Sequence, residues 1–338
     1  RFNEGVVNRL APVRPGTPAL DGPTSRPELV RIAGQLPVAA MVDEIEAGQL
    51  KVLVVTGGNP LSAFPEPDRF RQAAALLDAL VVIDVADTEL CDLATHVLPA
   101  AGQLERADLT LAEQVAFRSG MQFTPPIIEP EADRRPVWWI LGSIAARSER
   151  PMFGGAPVDA LSDEGVLAGL LGHGPFEASD VISAGSRGVD LAPTYGWVRE
   201  RMLVDGRWRI APEAFVERLA LHEGPEVGLL LVPRRESAWS NSVRFAGSGD
   251  ESVVVLHPDD ASLRGIVAGD WVALTTEHGS LVATVGIDET LRPGVVSVTH
   301  GHPGSLTGTL TSSRVDVDPL TAMPRASGVP VRVDKLGM

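Results

Sequence analysis

The sequence predicts an α/β protein in two parts, a parallel sheet flanked by helices and then a small closed β-barrel, and three observations predict it. Valine-rich apolar runs alternate with stretches of helical spacing between residues 38 and 99. From Gly228 the texture changes to short β-type runs separated by turns. The 338 residues also exceed what one hydrophobic core usually organises, so two domains are expected.

Residues 11–28 carry Pro12, Pro15, Gly16, Pro18, Gly22, Pro23 and Pro27, and are expected to be irregular because proline removes donors and restricts its neighbours. Val38, Met41, Val42 and Ile45 fall at i, i+3, i+4 and i+7, with Pro37 suited to a first turn and Gly48 to a cap, so a short amphipathic helix follows. Residues 50–56 (LKVLVVT) have the near-continuous apolar pattern of a strand covered on both faces in a parallel sheet, and end in Gly57-Gly58-Asn59-Pro60. Phe70, Ala73, Ala74 and Leu77 take helical spacing, and residues 80–85 (LVVIDV) read as a second buried strand, which completes a βαβ unit. A short helix over 88–94 and a third strand over 96–99 (HVLP) come next. In such a Rossmann-like sheet, ligands sit beyond the carboxyl ends of the strands, here residues 56–60, 84–88 and 99–105.

Val137, Ile140, Leu141, Ile144 and Ala145 mark another helix, opened by Pro136. Residues 151–227 are expected to connect the two domains, with a helix near 162–171. The β-type runs of the second domain are 229–232, 252–257, 270–276, 280–287 and 295–299, with Gly269-Asp270 and His278-Gly279 as turn residues. The expected division is therefore 1–150, 151–227 and 228–338.

Composition narrows the function. With 44 acidic against 29 basic side chains the net charge is −15, which argues against nucleic acid as a partner. No apolar run approaches the roughly 20 residues of a membrane-spanning helix. The single cysteine, Cys91, supplies neither a disulfide framework nor the four thiolates of an iron–sulfur cluster; it reads as a small buried hydrophobe, and the compartment expected is the cytoplasm. The chain opens at Arg1 without a secretory pattern, which reads as a piece of a longer or processed polypeptide.

Four groups of residues are candidates for binding. Gly57, Gly58, Asn59 and Pro60 form a turn where bare backbone could approach a pyrophosphate or ribose, or simply a turn. Asp84 ends a strand, where its carboxylate could accept two hydrogen bonds from paired donors of a ligand, or cap the segment beginning near Asp87. Arg234-Arg235 followed by Ser240-Asn241-Ser242 offers forked and neutral donors for phosphate, ribose and base, or is a solvated basic pair. His300 and His302 end a strand; without further ligands at a recognisable spacing they do not define a metal site.

The stretches VVTGGNPLSAFPEPDRF, ALLDALVVIDVADTELCDLATHVLPAAGQLERAD, RGVDLAP with DGRWRIAPEAFVERL, LLLVPRRESAWSNSVRF, VVVLHPDDASLRGIVAGDWVALTTEHGSLVATVGIDETLRPGVVSV and DVDPLTAMPRASGVPV follow one another in an order that resembles the molybdopterin oxidoreductases with a bis-guanine-dinucleotide cofactor. That family, also called the dimethyl sulfoxide reductase family, includes formate dehydrogenases and nitrate reductases. The resemblance implies that residues 1–150 are the C-terminal half of the family's molybdopterin domain and that 228–338 are its dinucleotide-binding double-psi β-barrel. It implies a molybdopterin guanine dinucleotide cofactor carrying molybdenum or tungsten, contacted by Gly57, Gly58, Asn59, Pro60, Asp84, Arg235, Ser240, Asn241, His300 and His302. A 4Fe–4S cluster and the metal-ligating residue would belong to a preceding part of the protein, so no catalytic residue is assigned here. Partners would be the remainder of the parent enzyme or an electron-transfer subunit.

Two departures from the family pattern stand out. Thr95 occupies the place of an aspartate before V-L-P, and Leu306-Thr307-Gly308-Thr309-Leu310-Thr311 replaces an N-x-N-x-L-T run, so both asparagines are absent. Lost amides weaken the hold on a polar ligand. The expected function is therefore the cofactor-holding C-terminal part of a molybdopterin-dependent oxidoreductase, formate dehydrogenase-like; the alternative is a catalytically silent homologue resembling the large iron–sulfur subunit of respiratory complex I.

Overall fold

A computed structural model describes residues 22–31, 35–110, 120–172, 176–190, 203–208, 210–220, 228–236, 239–240, 243–244, 252–302 and 306–337. The described residues form two compact units, each drawn from separate stretches of chain. One contains residues 83–86 and 98–216; the other contains 18–82, 87–97 and 217–338. These units divide the chain at other places than the boundaries expected at 150 and 228.

The parallel sheet has the order β1 (Val52–Thr56), β2 (Ala79–Asp84), β3 (His96–Pro99). Lys51 O accepts from the N–H groups of Asp78 and Ala79 at one end, Leu80 O accepts from Thr95 N, and Asp84 O accepts from Ala100 N at the other, so starts pair with starts and ends with ends. Helix α1 (Met41–Glu46), α2 (Pro60–Ala63) and α3 (Pro67–Ala74) accompany it. Val42, Ile45, Leu61, Phe70, Leu80 and Val82 form its core. Leu53 and Val55 pack on that core, whereas Val52 and Val54 are exposed, so β1 is covered on one face and not on both as its pattern suggested. The helix expected over 88–94 is a single 3-10 turn, Cys91–Leu93.

The unit containing residues 98–216 has a core of its own. Two-residue strands β4 (Asp108–Leu109), β5 (Gly120–Met121), β6 (Phe123–Thr124) and β7 (Val189–Asp190) pair as β4 with β6 and β5 with β7. Helix α4 (Val137–Arg147) matches its apolar spacing, and α5 (Asp163–Leu171) starts where Ser162 Oγ accepts from Gly165 N at 3.1 Å. Leu171, and Val181 of α6 (Ala178–Ala184), share one core with Leu109, Met121 and Phe123, so residues 151–190 build this unit rather than merely connecting two others.

The barrel closes with six strands: β8 (Leu229–Arg234), β11 (Val253–Leu256), β12 (Trp271–Thr275), β13 (Ser280–Ile287), β14 (Val295–Thr299) and β15 (Val329–Lys335), with a separate β9 (Trp239–Ser240) and β10 (Val243–Arg244) hairpin. Around the ring the order is β11-β13-β12-β15-β8-β14, with β11 parallel to β13 and β14 parallel to β8. Leu231, Val254, Leu256, Val272, Leu274, Val296 and Val298 fill it, each essentially excluded from solvent. Leu256 and Val296 are paired across the closing seam. The fold class is the one expected, an α/β sheet followed by a closed barrel.

Candidate cofactor-binding site

The turn after β1 is a bare stretch of backbone. Gly57 (φ 61°) and Gly58 (φ 102°) lie in the left-handed region, where side chains are strained, and a Cβ built on either would meet nothing within 4 Å. Asn59 is 4% exposed and is committed locally: its Oδ1 accepts from Leu61 N at 3.0 Å and its Nδ2 donates to Glu89 at 2.8 Å, which starts α2 with Pro60 as its first residue. A ligand at this turn would therefore meet backbone rather than the Asn59 amide.

Asp84 lies at the carboxyl end of β2, half-buried. Its Oδ1 accepts from Val85 N at 2.6 Å and Ala86 N at 3.2 Å, which holds its own turn. The expected cap on a later helix is not what it forms.

At the barrel, the parallel strands β8 and β14 end side by side, with Arg234 paired to Thr299. The residues just beyond come together for that reason: His300 N donates to Arg234 O at 2.8 Å, and the Thr299 hydroxyl bonds the Glu236 carboxylate. Arg234 is structural, its guanidinium reaching Ser297 O at 2.7 Å, Val253 O at 2.9 Å and Glu236. Arg235 is exposed and free of that duty. Burial pushes the half-buried His300 imidazole below the usual histidine range, and the nearby positive charge of Arg235 pushes it further, so at neutral pH the ring is uncharged, one donor and one acceptor. Burial raises the Glu236 carboxyl, but the Thr299 hydroxyl, Arg234 and His302 outweigh it and hold it below its ordinary value. His302 is buried. Ser240 is placed in β9, and Asn241 lies outside the described residues. Glu236 and Thr299 escaped sequence reasoning; the signal for both was the parallel pairing of RRE with THGH, which periodicity alone does not reveal.

The two loops belong to one compact unit. Thr307 Oγ lies 3.4 Å from His300 Nδ1, and the next residue, Gly308, accepts from Glu66 N at 2.9 Å through its carbonyl. A Cβ on Gly308 would fall 2.1 Å from Phe64 O, at the end of α2. The glycine turn and the histidine loop are thus tied through α2 and residues 307–308. Asp84 belongs to the other unit.

The donor set fits a pterin nucleotide: unobstructed backbone for a phosphate or sugar, a permanent cation in Arg235, and neutral imidazole and hydroxyl groups for a polar heterocycle.

The family profile described as "Molybdopterin oxidoreductase" matches residues 30–147, and that described as "Molydopterin dinucleotide binding domain" matches residues 233–330. Together they span more than half of the chain, which belongs to the molybdopterin oxidoreductase family. Among curated relatives it is similar to NADPH-Fe(3+) oxidoreductase subunit alpha of Geobacter sulfurreducens, 25% identical over 85% of this chain and 32% of that one. It is also similar to a formate dehydrogenase subunit alpha of Methanocaldococcus jannaschii, 23% identical over 89% and 45%. A shorter match, 34% identical over 34% of this chain and 13% of the other, is to an NADH-quinone oxidoreductase component of Rhizobium meliloti. The chain thus spans about a third to under half of the length of the relatives it matches over most of its own length. Acetylene hydratase of Pelobacter acetylenicus shares the fold at TM-score 0.65 and 16% identity, covering 88% of this chain and 46% of that structure. Among the described residues no helix is long and apolar enough to cross a membrane.

Proposed function

We propose that this chain is the cofactor-holding part of a molybdopterin-dependent oxidoreductase, gripping the guanine dinucleotide ends of the cofactor while other parts of the protein hold the metal. The observation that carries this reading is the tie through Gly308 between the Gly57-Gly58 turn and the His300 loop, which sets two regions of family-matched sequence on one body. Gly57 and Gly58 would admit phosphate or sugar, with Asn59 and Pro60 holding their turn; Asp84 would recognise the guanine edge; Arg235, Ser240, Asn241, His300 and His302 would line the barrel side. The bound cofactor would supply molybdenum or tungsten redox chemistry, and the chain's own groups would position it and exclude water. An iron–sulfur cluster, an electron-transfer partner subunit and a cytoplasmic location belong to the same reading; the relatives' names as alpha subunits support the partner.

The finer reading is formate dehydrogenase-like activity, supported by the similarity to the Methanocaldococcus protein. A second reading is a structural homologue without a pterin. The short match to the NADH-quinone oxidoreductase component favours it, as does the close packing of Gly308, which leaves no room for an amide.

The test is Asp84→Ala in protein produced with molybdate and tungstate supplied. Loss of the Asp84 turn bonds should cost about 1 kcal/mol in stability, while guanine nucleotide released by acid extraction should fall by far more than that predicts. Parallel loss of folding and nucleotide, or a wild-type protein carrying neither pterin nor guanine, would argue for the structural homologue.

A further inference from the structure

We propose that Glu277, His278 and Asp316 form a divalent-cation site at the end of the barrel where the β12–β13 turn lies, made of residues other than those assigned to the cofactor. Their ligand atoms all lie within 4.8 Å of one another. The His278 ring is 9% exposed, and its Nε2 points at both carboxylates, 3.5 Å from Glu277 and 3.9 Å from Asp316. Those separations exceed the roughly 2.7–3.2 Å of an N–H···O bond. They approach the spacing of donors that share a cation bound at about 2.0–2.2 Å. An imidazole that is nine-tenths covered, aimed into the gap between two carboxylates and bonded closely to neither, has the geometry of a ligand set.

The backbone holds these groups in place. Residues 276–279 make the turn between β12 and β13: Thr276 N donates to Gly279 O at 2.9 Å, and His278 N donates to Thr276 Oγ1 at 3.1 Å. That hydroxyl donates in turn to Leu310 O at 3.0 Å, and a Cβ at Gly279 would fall 2.4 Å from Thr309 O, so the turn is seated on residues 309–310. Asp316 has φ 58°, and its carbonyl accepts from Arg325 N at 2.9 Å. Two carboxylates supply the charge, one imidazole favours a borderline metal such as zinc over magnesium, and the exposure of Glu277 and Asp316 leaves room for water as a further ligand. The cation would clasp the β12–β13 turn to the segment that follows residues 309–313.

Isothermal titration of the full chain, freed of metal by chelation, with zinc chloride alone tests the site. One equivalent should bind, and the unfolding midpoint should rise with zinc concentration as for any ligand of the native state. Glu277→Gln and Asp316→Asn sit on exposed side chains, and asparagine tolerates the left-handed backbone at 316, so both variants should fold normally. Each should bind zinc on the order of tenfold or more weakly, since even outer partners of metal ligands cost about 10- to 100-fold. Absence of zinc binding would overturn the site. So would unchanged affinity in both variants, or a loss caused by His300→Gln with Asp316→Asn unaffected, which would move the metal to the histidine loop.

Discussion

Gly308 shows how a single missing side chain can be read two ways. The resemblance to the family leads one to expect an asparagine there, and so reads the glycine as a lost cofactor contact. In the structure the position has no room for one, because a Cβ would meet Phe64 O at 2.1 Å and Pro65 Cα at 3.5 Å. Gly308→Asn should therefore destabilise the protein by about 2 kcal/mol or more through overpacking, lowering the thermal midpoint, and should not raise the amount of guanine nucleotide retained. Increased retention with an unchanged midpoint would show that the close approach is not obligatory. Thr95 is a similar case. Its hydroxyl accepts from Leu80 N and donates to Leu80 O, both at 3.0 Å, so it stitches β3 to β2 in a way no carboxylate could, lacking the proton to donate.

Among elements, the strands and longer helices were legible in the sequence because their burial repeats. Residues 50–56, 80–85 and 96–99 became β1, β2 and β3, α4 starts where proline signalled, α5 lies where a helix near 162–171 was expected, and five of the six barrel strands were marked by β-type runs. The sixth, β15, alternates inward Val329, Val331 and Val333 with outward Pro330 and Arg332, a strand pattern masked by its proline. Helix α2 and the two-residue strands were illegible because four residues or two carry no period; α2 exists through the Asn59 cap, and β4 to β7 through partners distant in sequence. The same is true of Asp163 at the first turn of α5. Its carboxylate accepts from the Trp138 indole at 2.6 Å and from Ala107 N at 2.9 Å, joining α4, α5 and the approach to β4. Asp163→Ala leaves both donors unmatched and should cost about 2 kcal/mol in urea unfolding, with a shift in tryptophan fluorescence on the native baseline. A cost below about 0.5 kcal/mol would mean that water replaces the carboxylate without penalty.

At the scale of the molecule, what joins the sheet layer to the barrel within one unit is a cluster of charges. Asp43 of α1, buried, meets Arg69 of α3 at 2.5 Å, Arg314 at 2.9 Å and Arg26 at 3.2 Å, while Glu46 meets Arg69 at 2.6 Å and Arg314 at 2.9 Å. Glu66 adds its carboxylate to Ser313, accepting from N at 2.9 Å and Oγ at 2.6 Å. Burial raises the Asp43 carboxyl, but bonds from Arg69, Arg314 and Arg26 overcome it and hold it below the usual carboxylate range; Arg69 does the same for Glu46. Carboxyls depressed in the folded state stabilise it at every pH above their unfolded values, about 4, and this contribution is lost as the pH falls through the lower folded values. The unit should therefore hold its stability from neutrality down to about pH 5 and lose it in the acid range below. Asp43→Asn should cost on the order of 3 kcal/mol at pH 7, because three guanidinium groups lose a buried counter-charge, and should flatten the acid limb of the stability profile. Chemical denaturation followed at pH 7, 5 and 3.5 would measure both effects. A variant that lost stability equally at all three would show that Asp43 acts through packing, and that charge is not what binds the barrel to its sheet.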